Sequence, residues 1–370
     1  MEDFVNQLET PCIVIDERKA LKNIVSWQKF ADDNGVALRP HVKTHKIPYF
    51  AKLQLAYGAQ GITCCKVSEA EVMADSGIDD IFIAYPLIGA FRIKRAMVLA
   101  SKIKRLILAV DSIEGARALN DAAQAGNRVV EVRMEVDTGA DRTGVRYENA
   151  VETAKAIFAL PFLKLTGIYT FKSLYYQGKP TEDKVLAGME EGALMDSLAK
   201  RLAEEGIPII DISAGSSPTA EVLAKQKKVT EIRPGTYIFK DYMMYKENVA
   251  KPNEFAAHIY VTVVSTPKDE YAVIDGGNKA IPVDQPLNKE PYYYPSLAII
   301  DDNPDLVLTR VYEEHGMVYS KCGKTGLKVG QILKLSPIHV CTAINNYNQV
   351  YVYDGNSLRI EKVAGRGMLV

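Results

Sequence analysis

Cysteine is scarce in this chain of 370 residues: Cys12, Cys64, Cys65, Cys322 and Cys341 are all there is. An odd, sparse set is a poor disulfide framework. Reduced thiols in a cytoplasmic setting are therefore expected, which leaves a thiol such as Cys341 free to act as a ligand. An excess of either charge is lacking too. The formal net charge is −1, and the basic residues are spread along the chain, so nucleic acid is excluded as the main partner. No run approaches the roughly 18 uninterrupted apolar residues of a membrane span. The start, MEDFVNQLETPCIVID, is acidic and lacks the basic opening and apolar stretch of a signal peptide. No low-complexity tract is present.

What is present fits a globular protein, with 47% hydrophobic and 25% charged residues and length enough for one large domain plus a smaller one. Eight short β-branched or apolar runs recur at residues 37–43, 61–65, 80–85, 105–110, 129–136, 164–170, 209–215 and 231–239. Helical patterns separate them. Residues 181–205 open with Thr181, Glu182 and Asp183, carry Leu186, Met189, Leu194, Leu198 and Leu202 at helical spacing, and stop at Gly206. Leu21, Ile24 and Val25 share one face of a helix ending near Gly35. Alternating strands and helices imply parallel βαβ units, and eight in succession fit a closed (β/α)8 TIM barrel. A doubly wound open sheet is the runner-up, but its GxGxxG fingerprint is missing. After about residue 245 the pattern becomes short strands divided by turns (258–266, 270–277, 331–337, 349–355), an all-β region. The expected domains are thus a barrel over 12–244 and a β-domain over 245–370, joined by residues 1–11.

Chemistry-bearing residues follow the strands. In RPHVKTHK, Lys43 ends the first barrel strand, where barrels place catalytic groups. A lysine partly withdrawn from water suits Schiff-base chemistry. His41 and His45 flank it, and in extended chain all three side chains point to one face. A basic surface loop is the plainer alternative. A His41–His45 metal pair suits a helix, which Pro40 disfavours. After the seventh run, Gly215, Ser216 and Ser217 offer a small-residue loop with hydroxyls and free backbone N–H groups, as an anion needs; the eighth carries Arg233 and Tyr237. A phosphate facing a reactive lysine across one barrel mouth points to pyridoxal phosphate. Arg142, in VDTGADRTGV, can bind that cofactor or pair with Asp137 or Asp141. Tyr169 can contact the cofactor or be a core aromatic.

Deep in the β-region lies His339-Val340-Cys341. Two residues apart, both side chains would leave one face of a strand. Imidazole and thiolate suit zinc or a similar divalent metal, and only two protein ligands leave room for water or substrate. A chance pair in the core is the alternative.

With these landmarks the chain resembles the fold-type III pyridoxal-phosphate enzymes, in particular the D-serine dehydratase and D-threonine aldolase group, over nearly its whole length. RPHVKTHK is similar to the group's cofactor-lysine segment. GITCCKVSEAEVMADSGIDDIFIAYPLIG, EVDTGADRTGV, SAGSSPTAE, RPGTYIFKD, AVIDGGNKAI and HVCTAINN are similar to other stretches. The resemblance implies that Lys43 carries the cofactor, and that His339 and Cys341 hold a divalent metal, zinc, manganese or similar. It implies a lyase acting on β-hydroxy D-amino acids, and a homodimer. Within the group, dehydratases of D-serine and D-threo-3-hydroxyaspartate carry His-x-Cys and D-threonine aldolases His-x-Asp, so Cys341 favours a dehydratase. The aldolases also carry Tyr-His-Gly after strand six; here the corresponding residues are Phe171-Lys172-Ser173. Other readings are a retro-aldol enzyme, a racemase using one of Tyr292, Tyr293 and Tyr294, and a non-catalytic cofactor carrier, although such carriers end after the barrel.

Overall fold

A computed structural model describes residues 4–370. The chain forms two compact units. One comprises Val25–Lys43, Pro48–Gly235 and Gly367–Val370; the other comprises the described residues up to Ile24, Thr44–Ile47 and Thr236–Arg366.

In the first unit, eight parallel strands lie in the order Ala37–Leu38, Glu231–Ile232, Asp211–Ala214, Leu163–Tyr169, Val130–Asp137, Arg105–Val110, Asp80–Pro86 and Ile62–Cys64. A parallel bridge between His41 and Thr63 joins the two ends of this order, with Thr63 N–H donating to the Pro40 carbonyl at 2.8 Å. The eight runs expected from the sequence are thus the eight staves of a TIM-like barrel. Their apolar residues are buried because both faces of a barrel strand are covered. Helices flank them. Lys184–Glu204 starts where Asp183 accepts from the Val185 and Leu186 N–H groups, at 2.9 and 3.0 Å. Its buried face differs from the expected leucine stripe. Leu186 and Met189 are exposed, while Gly188 and Gly192 are buried, with Val222 and Gln226 standing where their Cβ atoms would go. Missing side chains, rather than large ones, let this helix approach Ala220–Gln226. In Glu17–Asn34, likewise, Ile24 is buried and Val25 exposed.

Part of the barrel is filled by a buried polar cluster. Arg39, Arg133 and Glu231 are fully buried. Glu231 accepts from Arg39 Nε at 2.7 Å, Arg133 Nη1 at 2.6 Å and the Ser213 hydroxyl at 2.5 Å. Asp80 also accepts from Arg39 Nη1 and Asp211 from Arg133 Nη2. This cluster ties together the first, third, fifth, seventh and eighth strands.

In the second unit, six antiparallel strands run Tyr271–Ile274, Gly316–Ser320, Leu306–Val311, Ala298–Ile300, Ile332–Pro337 and Ala257–Lys268, and the last pairs back with the first through Val263 and Ile274, closing a small barrel. Cys12–Asp16 extends this sheet, antiparallel to Ala257–Lys268 and parallel to Gln349–Tyr353. Cys12–Asp16 lies in the sheet of the β-unit, and residues 236–244 group with that unit. Strand pairing across more than 200 residues overrides sequence order here. Residues 1–3 of the expected 1–11 extension lie outside the described residues.

Candidate active site

Lys43 follows the first barrel strand, but not in extended chain. The segment Val42–Thr44 is one turn of 3-10 helix, so the expected common face of His41, Lys43 and His45 is not formed. His45 is fully buried, its Nδ1 accepting from the Ile47 N–H at 3.0 Å. His41 sits in the barrel with Nε2 3.5 Å from the Cys65 sulfur. Burial, and then the positive charges of Lys43, Arg233 and Arg142, hold its imidazole well below its ordinary pKa. It is therefore neutral at pH 7, in a region whose charge is positive.

The Lys43 ammonium lies 5.6 Å from the centroid of Phe171, and the Arg142 guanidinium lies 4.2 Å from the same ring. Asp137, one of the alternative partners for Arg142, instead accepts backbone N–H groups from Gly139 and Ala140 at 2.9 and 3.0 Å. Tyr169 is fully buried and donates to Glu135 Oε2 at 3.0 Å; Thr143 donates to Oε1 at 2.9 Å. Arg233 donates to the Ser213 hydroxyl at 2.5 Å and to the Thr170 carbonyl at 2.7 Å.

The loop after the seventh strand turns at Gly215, whose φ of +91° only glycine adopts freely. Its N–H donates to the buried Glu191 at 3.1 Å, so Gly215 shapes the loop while its own N–H is spent. Ser216 is half-buried, its N–H donating to Thr219 Oγ1 at 3.3 Å, and Ser217 is buried. Tyr237 belongs to the other unit, fully buried in the turn Thr236–Ile238. Glu135 and Glu191 were missed in the sequence. Glu135 had a signal: Glu131, Arg133 and Glu135 alternate with Val130, Val132, Met134 and Val136, which in a barrel strand places charge on one face.

In the β-unit, the expected strand through His339 and Cys341 is a helix start. The strand Ile332–Pro337 ends, His339 occupies the N-cap position, and Cys341 lies in the first turn of the helix Val340–Asn345. Asp241 enforces this by accepting the Val340 and Met244 N–H groups, both at 3.0 Å, and so starts two helices at once. The two side chains still lie near enough for the charge of each to act on the other. His339 Nδ1 lies 2.7 Å from Asp284 Oδ2, and Thr342 donates to Asp284 Oδ1 at 3.0 Å. Thr44 Oγ1 and Cys341 Sγ are hydrogen-bonded at 3.2 Å. Burial opposes the charged forms of both residues, yet their mutual attraction outweighs it: the thiol is held below its ordinary value and the imidazole is pushed up to about 11.

The residues fit both implied groups. A neutral imidazole among Lys43, Arg142 and Arg233 suits a phosphorylated cofactor. A thiol whose ionisation is eased, beside an imidazole whose Nδ1 is fixed by a carboxylate, leaves Nε2 and Sγ as a borderline-soft donor pair, with the usual outer partner of a metal histidine. Among the described residues, no three His, Cys, Asp or Glu side chains gather to hold a metal; His339 and Cys341 form a pair of donors rather than a full set.

An eight-stranded parallel barrel bearing a lysine after its first strand, in one chain with a closed antiparallel barrel, is the architecture of the fold-type III pyridoxal-phosphate enzymes. The alanine racemase N-terminal domain model matches residues 15–243, and a putative serine dehydratase domain matches 256–353. The chain belongs to this alanine racemase N-terminal family, as a lyase. It is 30% identical over 370 residues to a D-threonine aldolase of Arthrobacter sp, covering 99% of this chain and 94% of that one. It is equally 30% identical, over 385 residues, to the D-threo-3-hydroxyaspartate dehydratase of Delftia sp. (strain HT23), covering 99% and 100%. The solved structure of that dehydratase superposes with a TM-score of 0.88 at 28% identity, covering 97% and 98%. Structures of D-threo-3-hydroxyaspartate dehydratase also exist with a histidine, or a cysteine two positions further on, replaced by alanine, the cysteine variant in a metal-free form.

Proposed function

We propose that the chain removes water from a β-hydroxy D-amino acid, giving a keto acid and ammonia, with pyridoxal phosphate on Lys43 and a divalent metal, zinc or manganese, on His339 and Cys341. The observation that carries this reading is the hydrogen bond between Cys341 and Thr44, because Thr44 directly follows Lys43 in the chain. The relatives support the substrate class: both the aldolase and the dehydratase are named for β-hydroxy D-amino acids.

When bound, the cofactor supplies an electron sink at Cα and the metal a Lewis acid for the β-hydroxyl. Lys43 Nζ takes the α-proton. Arg142, Ser216 and Ser217 contribute donors for the cofactor, with His41 neutral beside them; Tyr169 and Tyr237 shape its surroundings. His339 Nε2 and Cys341 Sγ hold the metal, and Asp284 orients the imidazole.

Dehydration is favoured over carbon–carbon cleavage by Lys172. It stands where the resemblance expects the aldolase histidine, yet it is fully buried and ion-paired with Glu190, so no base is offered to the substrate hydroxyl. The 30% identity to the aldolase supports a retro-aldol second reading. Incubation with D-serine and D-threo-3-hydroxyaspartate separates the two: keto acid and ammonia support dehydration, whereas glycine and an aldehyde move the chain to the aldolase branch. The five cysteines are free, which supports a reducing, cytoplasmic setting. No described helix is long and apolar enough to cross a membrane. Family resemblance supports a homodimer.

A further inference from the structure

Beside His339 and Cys341, Asp241 accepts the Val340 N–H and caps the helix Tyr242–Lys246, which leads into a cluster of tyrosines and a carboxylate. Tyr242 lies 5.9 Å from Tyr294, and Tyr294 lies 5.6 Å from Tyr292, centroid to centroid. Glu247 accepts from the Tyr292 hydroxyl at 3.4 Å. Tyr294 is 2% exposed, and its hydroxyl has no hydrogen-bond partner among the described residues. A buried hydroxyl left unmatched marks a place where something else binds or packs. Among the described residues, Asp241, Glu247 and Asp284 form no ion pair with a lysine or arginine; Asp284 is paired with His339.

We infer that Tyr292 and Tyr294 line a subsite for the substituent on the substrate's β-carbon, and that this subsite takes a neutral group, hydrogen, alkyl or aryl, in preference to a second carboxylate. The inference rests on the proposed metal-assisted reaction, because a hydroxyl held at His339 and Cys341 brings its carbon to this cluster. A carboxylate there would be withdrawn from water with no cation of the cluster to meet it. Glu247 already shows the effect: burial, and then Asp241, push its carboxyl up to about 8. The tyrosine rings instead offer an aromatic group edge and face contacts.

The test compares kcat/KM for D-serine, D-threo-3-phenylserine and D-threo-3-hydroxyaspartate in the cofactor- and metal-loaded enzyme. Neutral substrates are expected to lead hydroxyaspartate by about a hundredfold, the range in which pockets reject a group they leave unpaired. In Tyr294→Leu, KM for phenylserine is expected to rise about tenfold, the scale of a lost aromatic pair. Circular dichroism reports on folding, and the KM for phenylserine is read relative to that for D-serine, whose β-carbon bears only hydrogen besides the hydroxyl. Hydroxyaspartate turned over as well as or better than the neutral substrates, or parallel changes for D-serine and phenylserine in the variant, overturns the subsite and leaves the lyase reading standing. No turnover of any of the three removes the lyase reading itself.

Discussion

Replacing Asp284 tests whether His339 is a metal ligand without touching either proposed ligand. In the structure the Asp284 carboxylate holds His339 Nδ1 at 2.7 Å and the Thr342 hydroxyl at 3.0 Å. The first contact fixes the proton on Nδ1 and presents the Nε2 lone pair to a metal; the second fixes the carboxylate. Removing such an outer partner weakens metal binding about ten- to hundredfold, which corresponds to roughly 1.4–2.7 kcal/mol. Asp284→Asn keeps an acceptor oxygen for Nδ1–H and loses only the charge, so it should fall near the lower figure. Asp284→Ala loses both contacts and should fall near the upper. Calorimetric titration of the metal-stripped protein with zinc and with manganese reads the difference directly, and circular dichroism checks the fold. Asp284→Ala binding metal within about twofold of the parent, a change of under roughly 0.5 kcal/mol, would refute the role given to His339.

Other outcomes follow from the same geometry. Lys43→Ala should abolish the visible absorbance band of the lysine-bound cofactor; a persisting band would place the attachment elsewhere. Chelation should remove activity while that band survives, and full activity in metal-free enzyme would end the metal-assisted mechanism. Glu231→Gln strands parts of Arg39 and Arg133, both fully buried, so urea titration should show a loss of about 3–5 kcal/mol; under about 1 kcal/mol, the range of an exposed pair, would mean the cluster does not brace the barrel. Glu131 and Glu231 also set a pH dependence. Burial opposes their ionisation, but Arg105 on the first, and Arg39 and Arg133 on the second, hold both below the ordinary carboxylate value of 4.5. The unfolded chain takes up protons first as pH falls, so this stabilisation is complete above about pH 4.5 and lost below it. A urea midpoint unchanged between pH 6 and pH 3.5 would contradict that.

Much of the barrel was legible because its signals are local. A strand such as RLILAV is apolar after its opening arginine, and Asp183 precedes its helix as a cap should. Misreadings came where packing overrode a pattern. Leu186 and Met189 kept helical spacing, yet Gly188 and Gly192 face the neighbouring helix. The residues His339 and Cys341 were found by type, but a strand was expected where Asp241, about 100 residues earlier, starts a helix.

The succession of strands along the chain, the lysine that follows the first of them and the histidine–cysteine pair were determined by the sequence itself, since periodicity and residue type act over a few neighbouring residues. Only the tertiary structure decided that Thr44 meets Cys341 across 297 positions, that Asp284 holds His339 across 55, and that Lys172 is buried against Glu190. Such pairings depend on where distant segments are brought by chain folding, and no local pattern encodes that distance.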